Sequence, residues 1–174
     1  DGSVVTWGSP DFGGDSSSVA SSLGSDVRAV YSTSSAFAAV KEDGSVVTWG
    51  FENSGGDSSE VASDLSGNVT AVYSTSSAFA AVKEDGSVVT WGLANSGGDS
   101  SEVASALSGN VAAVYSTSQA FAALKKDGSV VTWGSPALGG DSTGVASNLG
   151  SNVVSIYSTE WAFAALKEDG SVVT

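Results

Sequence analysis

Four aspartates share one setting. Asp15, Asp57, Asp99 and Asp141 each follow two glycines and precede a serine. A carboxylate, a hydroxyl and the carbonyls freed in a glycine-rich loop are oxygen donors of the kind Ca²⁺ takes. Calcium takes about six to eight of them, however, and the pattern is neither the EF-hand loop nor the Gly-Gly-x-Gly-x-Asp nonapeptide. The competing reading is that Asp and Ser bond the backbone nearby and hold a turn. Two aromatic series run at the same spacing: Trp7, Trp49, Trp91 and Trp133, and Tyr31, Tyr73, Tyr115 and Tyr157. Such rings stack on sugars or pack one repeat against the next, and inter-unit packing is the reading favoured. Trp161 breaks the pattern, standing where the other units hold Ser35, Ser77 and Gln119. It is either a contact particular to the last unit or a surface anchor for a partner.

Other chemistry is poorly supplied. There is no His, Cys or Met, which removes disulfides, thiolate zinc sites and cysteine nucleophiles. Serine is abundant, but an activated nucleophile needs a base beside it, and no histidine is there to serve. Near-identical units give equal environments, whereas catalysis needs one asymmetric constellation. The expectation is therefore no enzyme and no cofactor, with calcium as the one candidate ion. The formal net charge of −13, from 19 acidic and 6 basic side chains, repels nucleic-acid backbones and anionic membranes, which bind clustered Lys and Arg. No apolar run approaches the roughly 20 residues of a membrane helix.

These residues are positioned by a repeat. Asp1, Asp43, Asp85, Asp127 and Asp169 each open an Asp-Gly-Ser-Val-Val-Thr stretch, so the period is 42 residues without insertion. Fixed periods of this size mark repeat architectures. The chain reads as one array of units 1–42, 43–84, 85–126 and 127–168 with a partial unit 169–174, its core continuous from unit to unit. In the second unit, Ser45–Trp49 is rich in β-branched and aromatic residues and predicts a strand. A turn-rich loop follows, Gly50–Ser59, its first half the most variable part of the repeat. Val61 and Leu65, four apart, suggest one helical turn. Val69–Thr75 and Ala78–Lys83 predict two more strands, and the second runs into an Asp-Gly turn expected to be of type I′. The strands carry apolar or small residues on both faces, unlike a sheet with one face in water. Each small sheet should therefore be sandwiched between its neighbours.

The sentence Ala39-Val40-Lys41-Glu42-Asp43-Gly44-Ser45-Val46-Val47-Thr48-Trp49-Gly50, with a further glycine in the loop, resembles the regulator of chromosome condensation family of repeats. The Trp-Asp ending of WD repeats is absent. The resemblance covers all four units and implies β-propeller blades of small antiparallel sheets. Where that family usually places Gly and His before the central hairpin, this chain has Ser74, Thr75 and Ala78. No residue credited with nucleotide exchange or chromatin binding finds a matching position, so the resemblance implies a blade design and no activity.

The fold class expected is all-β, with propeller-like blades in an open or intermolecularly joined array. The function expected is a structural or adhesive module of an extracellular or cell-surface assembly, a fibre included, that self-associates through its terminal units. The alternative is a closed propeller binding glycan or protein on its loop face. Neither reading involves nucleic acid or membrane insertion.

Overall fold

The structure is a computed structural model and describes every residue, Asp1–Thr174. Four three-stranded antiparallel sheets follow one another along the chain. Blade 1 is β1 (Val27–Ser32), β2 (Ala36–Lys41) and β3 (Val46–Gly50). Blade 2 is β4 (Val69–Ser74), β5 (Ala78–Lys83) and β6 (Val88–Gly92), and blade 3 is β7 (Val111–Ser116), β8 (Ala120–Lys125) and β9 (Val130–Gly134). Blade 4 is β10 (Val153–Ser158), β11 (Phe163–Lys167) and the short β12 (Val172–Val173). Each sheet takes two strands from one 42-residue unit and the third from the next, with the Asp-Gly turn inside the sheet.

That turn differs from the expected type I′. Gly44 carries a φ of +77°, but Asp43 is absent from the residues with positive φ. The Gly44 N–H donates to the Lys41 carbonyl and the Lys41 N–H to that of Ser45, both at 2.9 Å. This is a three-residue loop, a type I turn over Glu42 and Asp43 with glycine in the left-handed position that forms the bulge. Asp43 Oδ1 stabilises it by accepting the Ser45 backbone N–H at 2.9 Å and the Ser45 hydroxyl at 2.7 Å. A Cβ on Gly44 would lie 2.7 Å from the Asn68 nitrogen, because the turn packs on the start of the next blade and its carbonyl accepts the Val69 N–H at 3.0 Å.

The blades are stacked through small side chains. Ala36, Ala38 and Val40, on one face of β2, pack with Leu65, Val69, Val72, Phe79, Ala81 and Trp91 of blade 2. The same set recurs between blades 2 and 3, and in reduced form between blades 3 and 4. Alanine on the covered face lets the sheets approach closely, and the Leu, Phe and Trp opposite supply the apolar bulk. Leu23, Leu65, Leu107 and Leu149 are each buried, worth about 1.5–3 kcal/mol apiece. Leu23 and Leu149 end α1 (Ala20–Leu23) and α2 (Ala146–Leu149) in the outer units, and Leu65 and Leu107 follow the 3₁₀ turns Ser59–Val61 and Ser101–Val103 in the middle ones, where helical turns were expected. A lysine closes each turn, with Nζ of Lys41, Lys83, Lys125 and Lys167 donating to a turn carbonyl at 2.7–2.8 Å.

The first strands of successive blades, β1, β4, β7 and β10, are neighbours, and backbone bonds from Ser34 to Ser76, Ser76 to Ser118 and Ser118 to Glu160 link the turns that follow them. The row does not close on itself. Val72, Val114 and Ile156 are buried against the preceding blade, while their counterpart Val30 is exposed. Blades 1 and 4 each keep an uncovered face. No helix is long and apolar enough to cross a membrane.

Candidate functional site

Each interior tryptophan sits in a socket built from three parts of the repeat. Trp49 on β3 pairs with Phe37 on β2, and the rings stack with centroids 5.2 Å apart and planes 19° apart. The indole N–H donates to the Gly13 carbonyl at 3.0 Å. Trp91 repeats this with Phe79 and Gly55, and Trp133 with Phe121 and Gly97. The first glycine of each Gly-Gly pair is required there. A Cβ on Gly13, Gly55 or Gly97 would stand 2.5 Å from the phenylalanine ring, and all three have φ of +89° to +95°. The socket thus locks the third strand of a blade to the loop that leads into the same blade, and Trp91 and Trp133 also complete the core shared with the blade before.

The tyrosines work from the other direction. Tyr31, Tyr73 and Tyr115 are partly buried against the core of the following blade, and burial pushes the Tyr73 hydroxyl above its ordinary value. Two members of the aromatic series depart from the packing expected of them. Trp7 is 84% exposed and Tyr157 61%. No phenylalanine-bearing strand pairs with the segment of Trp7, and no blade covers Tyr157.

In blade 4 the place equivalent to the tryptophan sockets is an open cavity of about 280 Å³. Gly139 and Phe163 hold the same relation as in the filled sockets, a Cβ on Gly139 falling 2.6 Å from the ring. Ala122 and Val130 of blade 3 and Leu149, Ile156 and Ala165 of blade 4 complete the walls. Trp161, 63% exposed, lines the same cavity. The residue that breaks the repeat therefore stands beside this cavity, at the junction of blades 3 and 4.

The four loop aspartates do local work. Oδ1 of Asp15, Asp57, Asp99 and Asp141 accepts the backbone N–H two residues on, at 2.8–2.9 Å. That bond, helped by the hydroxyl of the same residue, holds each carboxyl below its ordinary value. No three acidic side chains come close enough together to hold a metal ion.

The same loops wall three grooves along one face. The first, about 620 Å³, lies between the loop bearing Phe12 and that bearing Phe51, over Thr48 and Trp49. The second, about 440 Å³, runs between Glu52–Val61 and Leu93 over Trp91, and the third, about 1070 Å³, between Ala94–Val103 and Pro136 over Trp133. Phe12, Phe51 and Leu93 are exposed, and the first two rings lie 6.1 Å apart.

Two structural features escaped the sequence reading. Asp26, Asn68, Asn110 and Asn152 adopt φ of +62° to +64° just before each first strand; Asx at a fixed phase of the repeat was the available signal, because these residues tolerate that region. A threonine fastens each loop: Thr75 Oγ1 accepts the Ala78 N–H at 3.0 Å and donates to the Ser96 carbonyl at 2.9 Å. Thr33 and Thr117 do the same in blades 1 and 3.

The four sheets are β-propeller blades, and comparison with known proteins agrees. The row superimposes on part of the receptor kinase CR4 ectodomain of Physcomitrella patens (TM-score 0.51, 16% identity, 83% of this chain and 37% of that one). It matches human WBSCR16 similarly (TM-score 0.51, 20% identity, 84% of this chain and 46% of that one). It also matches Prp20p of Saccharomyces cerevisiae, the yeast RCC1 (TM-score 0.50, 18% identity, 84% of this chain and 42% of that one). The chain thus spans less than half the length of these three and has, at low identity, the blade design of RCC1-type propellers. No family model and no curated protein matches the chain.

Proposed function

We propose that this chain is a non-enzymatic structural module of an extracellular or cell-surface assembly, whose copies associate blade to blade. The observation that supports the reading is complementarity between its two uncovered faces. The blade 1 end presents Val30 and Trp7 exposed, and the blade 4 end presents Tyr157. Their counterparts inside the molecule, Val72 and Val114 on one side and Tyr31, Tyr73 and Tyr115 on the other, are packed at the blade junctions. A head-to-tail contact of this kind does not close by itself, so it propagates into filaments unless the rotation closes a ring. The test is mass photometry and electron microscopy of the wild type beside Trp7→Ala. Concentration-dependent oligomers or fibres that Trp7→Ala abolishes are expected; a monomer at every concentration refutes the reading.

The grooves favour a second reading, a binding module working through its loop face. Prp20p is described with binding to Gsp1p and histones, so a propeller of this blade design serving as a protein-binding surface has precedent among the structural neighbours.

A further inference from the structure

The loop face combines apolar side chains and charge in a way that the fold does not require. The Gly-Gly-Asp half of each loop is the same in all four units and is used up in socket and turn. The first half is where the units differ, and there Phe12, Phe51 and Leu93 stand exposed at equivalent or adjoining places. Nothing in the blades needs these side chains. Apolar groups aligned on variable loops over a rigid scaffold are the usual makings of a contact surface.

Charge on this face is of one sign. Asp11, Asp15, Glu52 and Asp57 line the first groove, Glu52, Asp57 and Glu60 the second, and Asp99, Glu102 and Asp141 the third. No Lys or Arg lines any of them. Five of the chain's six cations are committed elsewhere. Four lysines donate to helical-turn carbonyls, and Arg28 donates to the Val69 and Thr70 carbonyls of the next blade at 3.2 Å. The grooves are therefore unneutralised by the protein, in a molecule of net charge −13.

We propose that the loop face binds an extended, basic polypeptide in which Lys or Arg residues alternate with apolar ones. The apolar side chains lie against Phe12, Phe51 and Leu93, and the cations face the groove carboxylates. The three grooves repeat at one-blade spacing, so one chain engages them in series, and each further groove raises affinity as an intramolecular event. Polyanions are excluded by the same field. A neutral glycan uses the rings but not the carboxylates, and so predicts binding that salt does not change.

This inference is independent of self-association, and one set of variants separates them. The probe is a fluorescein-labelled peptide of alternating arginine and leucine, followed by fluorescence anisotropy. The controls are the same peptide with serine for leucine and with glutamate for arginine. Binding to wild type is expected to weaken at least about tenfold on raising salt from about 50 to 500 mM, since the Debye length that screens exposed charges shortens over that range from roughly 14 to roughly 4 Å. Glu52→Gln/Glu60→Gln/Glu102→Gln should weaken it about tenfold, and Phe12→Ser/Phe51→Ser/Leu93→Ser by a similar factor. All six residues are exposed, so both triple variants should keep the wild-type melting curve and oligomeric state. Trp7→Ala should bind the peptide as wild type does. Equal affinity for the serine-substituted peptide, or no loss in the apolar triple variant, would reduce the face to a nonspecific polyanion and overturn the proposal. Absence of binding, or binding indifferent to salt, overturns it as well.

Discussion

Replacing Gly97 with alanine tests the socket, because the loss can be worked out from three separate terms. The backbone there has φ of +94°, a region that costs an L-residue about 1–2 kcal/mol. The new methyl would lie 2.5 Å from Cδ2 and 2.8 Å from Cε2 of Phe121, and overpacking of this kind costs about 1–3 kcal/mol. The ring cannot easily retreat. Phe121 is fully buried and stacks on Trp133 at 5.2 Å, and that indole is bonded to the Gly97 carbonyl itself at 3.0 Å. Against these, alanine restricts the unfolded chain and returns about 0.4–1 kcal/mol. The net expectation is a loss of roughly 2–4 kcal/mol, read by urea unfolding followed by tryptophan fluorescence. Gly55→Ala is an internal replicate, having φ of +95° and the same 2.5 Å approach to Phe79. Gly144→Ala is the control, since a Cβ there meets nothing within 4 Å and φ is not positive; it should change stability by no more than about 0.5 kcal/mol. If Gly97→Ala unfolds together with Gly144→Ala, the socket is not the tight contact its geometry describes.

Trp91→Ala should cost about 3–5 kcal/mol, whereas Trp7→Ala should stay within about 0.5 kcal/mol when both are melted at concentrations too low for association. Acid should destabilise the fold through its turn aspartates. The backbone N–H two residues on, aided by its hydroxyl, depresses Asp15, Asp57, Asp99 and Asp141. The serine hydroxyl and then its N–H depress Asp43, Asp85, Asp127 and Asp169. A carboxyl lowered in the folded state contributes stability in full above its unfolded value and loses it as pH falls through the folded one. The melting temperature should therefore be flat above about pH 5 and fall below about pH 4. Asp43→Asn and Asp57→Asn, which keep an acceptor oxygen but do not titrate, should each make that fall shallower.

The period and the strands were legible because both are local. Ala78–Lys83 forms the strand its sequence indicates, and Ser45–Trp49 is shifted by one residue, to Val46–Gly50. The expectation that each sheet is sandwiched held for blades 2 and 3, which pack on a neighbour from either side. The Asp-Gly turn was read one residue out. A dipeptide shows that glycine is needed at positive φ but not whether it is the second or the third residue of the loop. Here the Ser45 N–H and hydroxyl draw Asp43 into negative φ and leave the bulge to Gly44. The loop aspartates posed the same difficulty. Metal ligand and turn bond ask for the same residues, and only the distances to Ser17, Ser59, Ser101 and Thr143 show the bond that forms.

Burial is what the repeat could not reveal. Asp1–Trp7 and Asp43–Trp49 are the same seven residues, yet Trp49 is buried and Trp7 is not. The difference lies entirely in residues far along the chain, Phe37 on the paired strand and Gly13 in the loop 36 residues upstream. In a stack of blades each unit's stability is its own plus that of its interfaces with neighbours, so identical sequences acquire different properties wherever a neighbour is present or absent. The grooves follow the same logic, each being walled by loops one full repeat apart. A single unit contains half of a socket and half of a groove. Function in such an architecture therefore resides in junctions, and the places to probe it are the few positions where the units differ: Phe12, Phe51 and Leu93 on the loop face, and Trp161 beside the open socket of blade 4.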